Sequence, residues 1–267
     1  MAGEFKNNLR RLWEDNGMQL IHSPQVNARY WTAITLASVF GTNLGDFYAH
    51  ESGLGIVKGL AVLALLAGCV FAVEHLEKRR HEAYYWLVII LIRTGATNIA
   101  DYVAFRLRVP PVALTLGLVA LLCVFGWGTR RASRGEGTAS QALPKTGAAY
   151  WMAMLTAGVF GTVVGDLCSH AIGQGIASLV LLGVLLAVLG AGRGRAAEVI
   201  ALYWTTVAVA RTAGTAMGDW LAENKILNIG LPVATLATGI AFVAVLVLWR
   251  SRTKDAESAI VATSSAS

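Results

Sequence analysis

Four aspartates lie inside otherwise apolar sequence: Asp46, Asp101, Asp166 and Asp219. Each follows a threonine by four residues: Thr42, Thr97, Thr162 and Thr215. His50 and His170 come four residues after the first and third aspartates. Arg93 and Arg211 come four residues before the second and fourth threonines. Steps of four keep side chains on one face of a helix. The residues therefore form four polar stripes, and an ionisable group in a membrane-spanning segment is a functional-site hypothesis by default. Carboxylates packed together in a low dielectric cannot all carry charge unless they are partnered. Arg93 and Arg211 are expected to tune that charge by pairing with two of them. The remainder can be met by a cation, by protons, or by both in exchange. Asp46, His50, Asp166 and His170, at i and i+4 on two helices, are acceptable ligands for a first-row divalent ion.

The elements that position these stripes are copies of one another. Residues 30–46 read YWTAITLASVFGTNLGD, and the skeleton returns at 85–101, 150–166 and 203–219. Each copy is Tyr-Trp, ten residues, Thr, three residues, Asp, without a gap. Such recurrence dictates the architecture. Beside each stripe runs a second pattern of small residues four apart: Gly41 and Gly45, Ala96 and Ala100, Gly161 and Gly165, Gly214 and Gly218. Small-xxx-small spacing lets membrane helices approach closely. The four helices carrying the stripes are thus expected to form an inner bundle with their aspartates facing a shared interior. At about 1.5 Å rise per residue, each Asp lies roughly 22 Å along its helix from the Trp.

The chain has 267 residues, of which 55% are hydrophobic and 14% charged; a soluble domain is nearer a quarter charged. Several apolar stretches are long enough to cross a bilayer. The net charge of +6 is not a nucleic-acid signal. The basic residues cluster around 6–29, 78–80, 130–145, 193–195 and 250–254, and these segments alternate with poorly charged ones, which is the positive-inside pattern. It predicts an all-α, multi-pass inner-membrane protein with both termini cytoplasmic and eight transmembrane helices in four parallel two-helix repeats. The expected organisation is a cytoplasmic segment at 1–28, repeats one and two at 29–128, a cytoplasmic linker at 129–146, repeats three and four at 147–249 and a tail at 250–267. The fourth and eighth spans are expected to end at Trp127 and Trp249, and the polar tail to be without structure. Phe5, Leu9, Leu12 and Trp13 suit either a helix on the membrane surface or a disordered tail. Cys69, Cys123 and Cys168 are read as small side chains in apolar surroundings.

The Tyr-Trp repeat resembles a family of bacterial inner-membrane proteins built from four tandem repeats of unknown function, over about residues 30–249. The resemblance implies fold and compartment, without a substrate. Ala96 and Ala100 depart from the glycines of the other copies.

Three functions remain open. The first is a transporter of a cation, most plausibly a divalent metal and with possible proton exchange. Its site would be Asp46, Asp101, Asp166 and Asp219, with Thr42, Thr97, Thr162 and Thr215 as helpers and His50 and His170 at the outer mouth. The second is a proton-coupled transporter of a small organic anion held by Arg93 and Arg211. The third is a non-transporting scaffold or sensor in which the stripes are a structural network. No HExxH, GxSxG or Walker sequence is present, so an enzyme is not expected. The expected partners are the lipid bilayer and a small ion or molecule. Nucleic acid is not expected, no cofactor is called for beyond a metal as substrate, and the oligomeric state is left open. The repeated tryptophans are read as interface anchors.

Overall fold

A computed structural model describes residues 24–51, 53–77, 81–133, 143–192 and 200–264. The expectations for residues 1–23 and for most of the two linkers lie outside the described residues. Among the described residues eight α-helices follow one another: α1 (Ala28–Asp46), α2 (Gly55–Leu76), α3 (Glu82–Asp101), α4 (Pro111–Ala132), α5 (Ala148–Ile172), α6 (Gln174–Ala191), α7 (Ile200–Glu223) and α8 (Gly230–Ser264). The fold is all-α among the described residues. Six of these helices are long and apolar enough to cross a membrane over their described residues; α1 and α7 are not among them. These two carry several of the polar residues that the bundle buries, including Ser38, Asn43, Thr206 and Arg211, so polarity along the helix lowers their mean hydropathy.

Local chemistry sets the ends. The Asn27 side chain caps α1 by accepting from the Tyr30 amide, which meets one of the orphan donors of a helix start. Pro111 opens α4, where its missing N–H costs nothing. Gly173, at φ +85°, turns the chain from α5 straight into α6, in a conformation that a Cβ would oppose. Two helices run past the expected ends. In α4 the Arg131 guanidinium lies 3.8 Å from the centre of the Trp127 ring, a cation–π contact one turn apart. In α8 no Gly or Pro occurs between residues 241 and 264, so nothing in the backbone chemistry stops the helix and the polar tail continues it to Ser264.

The odd helices form a closed ring. α1 packs on α3, α3 on α5, α5 on α7, and α7 back on α1. The even helices lie outside, each against the next odd helix in the chain: α2 on α3, α4 on α5, α6 on α7. α8 completes the circuit by packing on α1. The even helices carry much of the exposed apolar surface, such as Leu65, Leu116, Leu179 and Leu236, and Cys69 and Cys123 are exposed on them as free thiols.

Small residues set the ring spacing. A Cβ on Gly41 would sit 2.5 Å from Arg93 Cγ, on Gly161 2.6 Å from Arg211 Cβ, and on Gly214 2.3 Å from Ser38 Cβ. At the α3–α5 seam the pattern is exchanged. Ala96 stands where the other copies have glycine, and the facing residue is Gly158, whose Cβ would lie 2.7 Å from Ala96 Cβ. The missing space on one helix is supplied by the other, which accounts for the departure at Ala96.

Candidate functional site

The Tyr-Trp end of the ring is closed. Tyr30, Tyr85, Tyr150 and Tyr203 are fully buried, and their hydroxyls form a cyclic set of hydrogen bonds. The separations are 3.1 Å from Tyr30 to Tyr85, 2.7 Å to Tyr150, 2.9 Å to Tyr203 and 2.6 Å back to Tyr30. Each hydroxyl can donate once and accept once, so the ring satisfies all four. The expectation that the tryptophans are interface anchors is corrected here. Trp31, Trp86, Trp151 and Trp204 are only 3–8% exposed and pack edge-on against their neighbouring tyrosines, with centroids 5.0–5.1 Å apart. Trp86 and Trp204 donate to Glu82 and Thr129. Both aromatic residues belong to the core.

Past a fully buried layer of Ile34, Ile89, Met154 and Val207, the next polar layer along the helices holds Ser38, Arg93 and Arg211, with Gly158 at the fourth position. The two arginines occupy equivalent repeat positions and are fully buried, yet they point in opposite directions. Arg93 reaches forward to the threonine layer. Its Nη1 donates to Thr97 Oγ1 (2.8 Å) and Thr162 Oγ1 (3.0 Å), and its Nη2 to Thr215 Oγ1 (2.6 Å) and Thr42 Oγ1. One guanidinium on the ring axis thus joins all four threonines. Arg211 turns back towards the tyrosines, donating to Ser38 Oγ at 3.1 Å and approaching Met154 Sδ at 3.8 Å. With the threonine layer filled by one cation, a second at the same level would meet strong repulsion in a low dielectric. The expected pairing of Arg93 and Arg211 with aspartates is not present, since no arginine–aspartate ion pair occurs among the described residues. Copies two and four, which share the arginine position, therefore differ from each other at this layer.

Beyond the threonines the ring opens into a cavity of about 640 Å³. Thr42, Thr97, Thr162 and Thr215 line it, as do Asp46, Asp101, Asp166 and Asp219, and His50 and His170 stand around it as well. Every sequence-derived site residue except the two arginines therefore faces one space. The carboxyl groups of the four aspartates have no hydrogen-bond or ion-pair partner among the described residues. Arg106, Gln174 and Glu223 also line the cavity and were missed in the sequence. Glu223 and Phe105 hold, in copies four and two, the position that His50 and His170 hold in copies one and three. The step of four past the aspartate, which picks out His50 and His170, picks out Glu223 in the fourth copy.

The two halves differ beside the aspartates. α1 passes after Asp46 into a π turn, Phe47–Glu51, and α3 after Asp101 into another, Tyr102–Arg106, closed by the Leu107 amide bonding to the Tyr102 carbonyl. α5 and α7 continue as regular α-helix past Asp166 and Asp219. The expected metal set of Asp46, His50, Asp166 and His170 is not gathered at one point. Among the described residues, the group whose donor atoms lie mutually within 4.8 Å is Asp46, His50 and Asp101. The reason is local: His170 stays on a regular helix with its Nδ1 2.7 Å from the Asp166 carbonyl oxygen, while His50 sits in the π turn.

Residues 29–80 and 202–255 match the family described as Repeat of Unknown Function (DUF347). Each match spans one odd helix and all or part of the even helix after it, in keeping with the tandem-repeat resemblance. No curated protein and no solved structure matches the chain.

Proposed function

We propose that this repeat protein is a multi-pass membrane transporter of a small cation, a divalent metal exchanged for protons, and that the aspartate-lined cavity is its binding chamber. In this reading all eight helices cross the inner membrane as four parallel two-helix units, with both termini cytoplasmic and the cavity facing outward. The observation that carries it is the set of four carboxyl groups converging on one open space without partners of their own. Unpaired carboxylates in a low-dielectric surround are stabilised by a cation or by protons. Arg93 supports the reading from below. Its four terminal N–H groups are all taken by threonines, so it acts as a fixed positive floor that blocks free leak along the axis. The anion alternative draws less support, because neither Arg93 nor Arg211 presents a terminal N–H to the cavity, and Arg106 in its lining stands among the carboxyl groups of Asp46, Asp101, Asp166, Asp219 and Glu223.

The test is metal flux in proteoliposomes. Asp46→Asn and Asp166→Asn should each abolish Mn²⁺-driven counterflow of protons while the protein remains monodisperse. Wild-type flux in both variants would sink the transport reading and leave a structural network.

A further inference from the structure

We infer that Asp46, His50 and Asp101 form a binding site for a single first-row divalent cation, straddling the first two repeats and without a counterpart in the second half. The inference rests on the transport reading for its purpose and on separate geometry for its place. The carboxylate oxygens of Asp46 and Asp101 and an imidazole nitrogen of His50 already lie within 4.8 Å of one another. Ligands about 2.0–2.2 Å from one ion are separated by roughly 3–4 Å, so small side-chain rotations complete the set. The three residues come from two adjacent helices. α1 supplies Asp46 and, through its π turn, His50; α3 supplies Asp101 immediately before its own π turn. Such turns are rare insertions in helices and occur often at functional sites. Here the widened turn places His50 beside the carboxylates, where the regular helix of α5 leaves His170 against its own backbone.

The donor set points to the class of ion. Two carboxylates and one imidazole, with no thiolate, suit Mn²⁺, Fe²⁺, Co²⁺ or Zn²⁺ better than Cu(I), and the imidazole sets the site apart from all-oxygen Mg²⁺ or Ca²⁺ cages. Two carboxylate charges balance a divalent ion, and the cavity leaves its remaining coordination positions to water. Asp46 and Asp101 have no competing partners among the described residues. Asp166, Asp219 and Glu223 face the same cavity and lie outside the donor group; they remain available to protons.

The experiment titrates the purified full-length protein in detergent with Co²⁺, following its visible absorption, and counts bound Mn²⁺ by electron paramagnetic resonance. One ion per chain is expected. His50→Gln and Asp101→Asn should each weaken binding by about tenfold or more, as removal of metal-site partners does, and His50→Gln should also shift the Co²⁺ band. His170→Gln should leave both readouts unchanged. Two ions per chain, or an equal loss from His170→Gln and His50→Gln, would overturn the site, as would no binding by folded wild-type protein. The two proposals fail separately: one ion bound without flux in liposomes removes transport and keeps the site. Undiminished flux through His50→Gln with no loss of binding removes the site and keeps transport.

Discussion

The two ends of the same four helices are built on opposite rules. Towards the Tyr-Trp end, hydroxyls are paired with hydroxyls, the aromatic rings are buried and the ring is sealed. Towards the aspartate end, the carboxyl groups are left unpaired around an open cavity. Arg93 and the four threonines mark the divide. The repeat is nearly four-fold where it packs and unequal where it faces the cavity. Packing asks only that each helix fit its neighbour, whereas binding a small ion asks for donors at particular points, and identical copies cannot all supply different donors.

Substitutions at three places can break or sharpen that contrast. The largest effect is expected from Arg93→Ala, which empties the divide. It removes four hydrogen bonds and a large buried side chain, and core truncations of that size cost about 3–5 kcal/mol. A collapse of the melting transition in detergent is the expected result. Arg93→Met keeps much of the volume and drops the donors; full recovery of stability in that variant would show that filling, and not hydroxyl bonding, closes the ring. Next is the α3–α5 seam. Gly158→Ala forces two methyl groups together and should cost about 1–3 kcal/mol. Ala96→Gly in the same chain should restore most of the loss, and additive destabilisation in the double variant would refute the exchange of small residues. The smallest effect belongs to the sealed end. Tyr85→Phe removes two of the four ring bonds, and each interhelical hydrogen bond of this kind is worth about 0.6 kcal/mol in a membrane protein. A fall of a few degrees in apparent melting temperature is expected. A loss as large as that of Arg93→Ala would mean that the hydroxyl ring, not the arginine, holds the bundle.

Much of this arrangement was legible in the sequence. The step of four put Thr and Asp on one stripe, the recurrence gave the inner bundle, and the small residues marked its contacts. What was not legible depends on differences between copies that residue type alone does not encode. Arg93 and Arg211 share one repeat position and diverge because only one guanidinium fits among the threonines. The π turns after Asp46 and Asp101 have no Gly or Pro within them to announce them, and they decide that His50 joins a donor group while His170 does not. Glu223 was hidden by its place at a helix end. The tyrosine ring has no signal in residue type alone, although a residue repeated four times about one axis will meet its own copies.

The circuit closed by α8 has a consequence for the chain as a linear object. α8 stands to α1 as α2 stands to α3, and Arg29 at the start of α1 donates to the Leu246 carbonyl midway along α8, so the circuit closes between the first and last of the described helices. No step of the circuit marks a natural beginning. A circularly permuted chain, opened in the linker at 134–142 and joined by a tether from just past Leu246 in α8 to the start of α1, keeps the helix contacts of the ring. Connectivity is then a record of how the units were joined, and the bundle itself is indifferent to where it is cut.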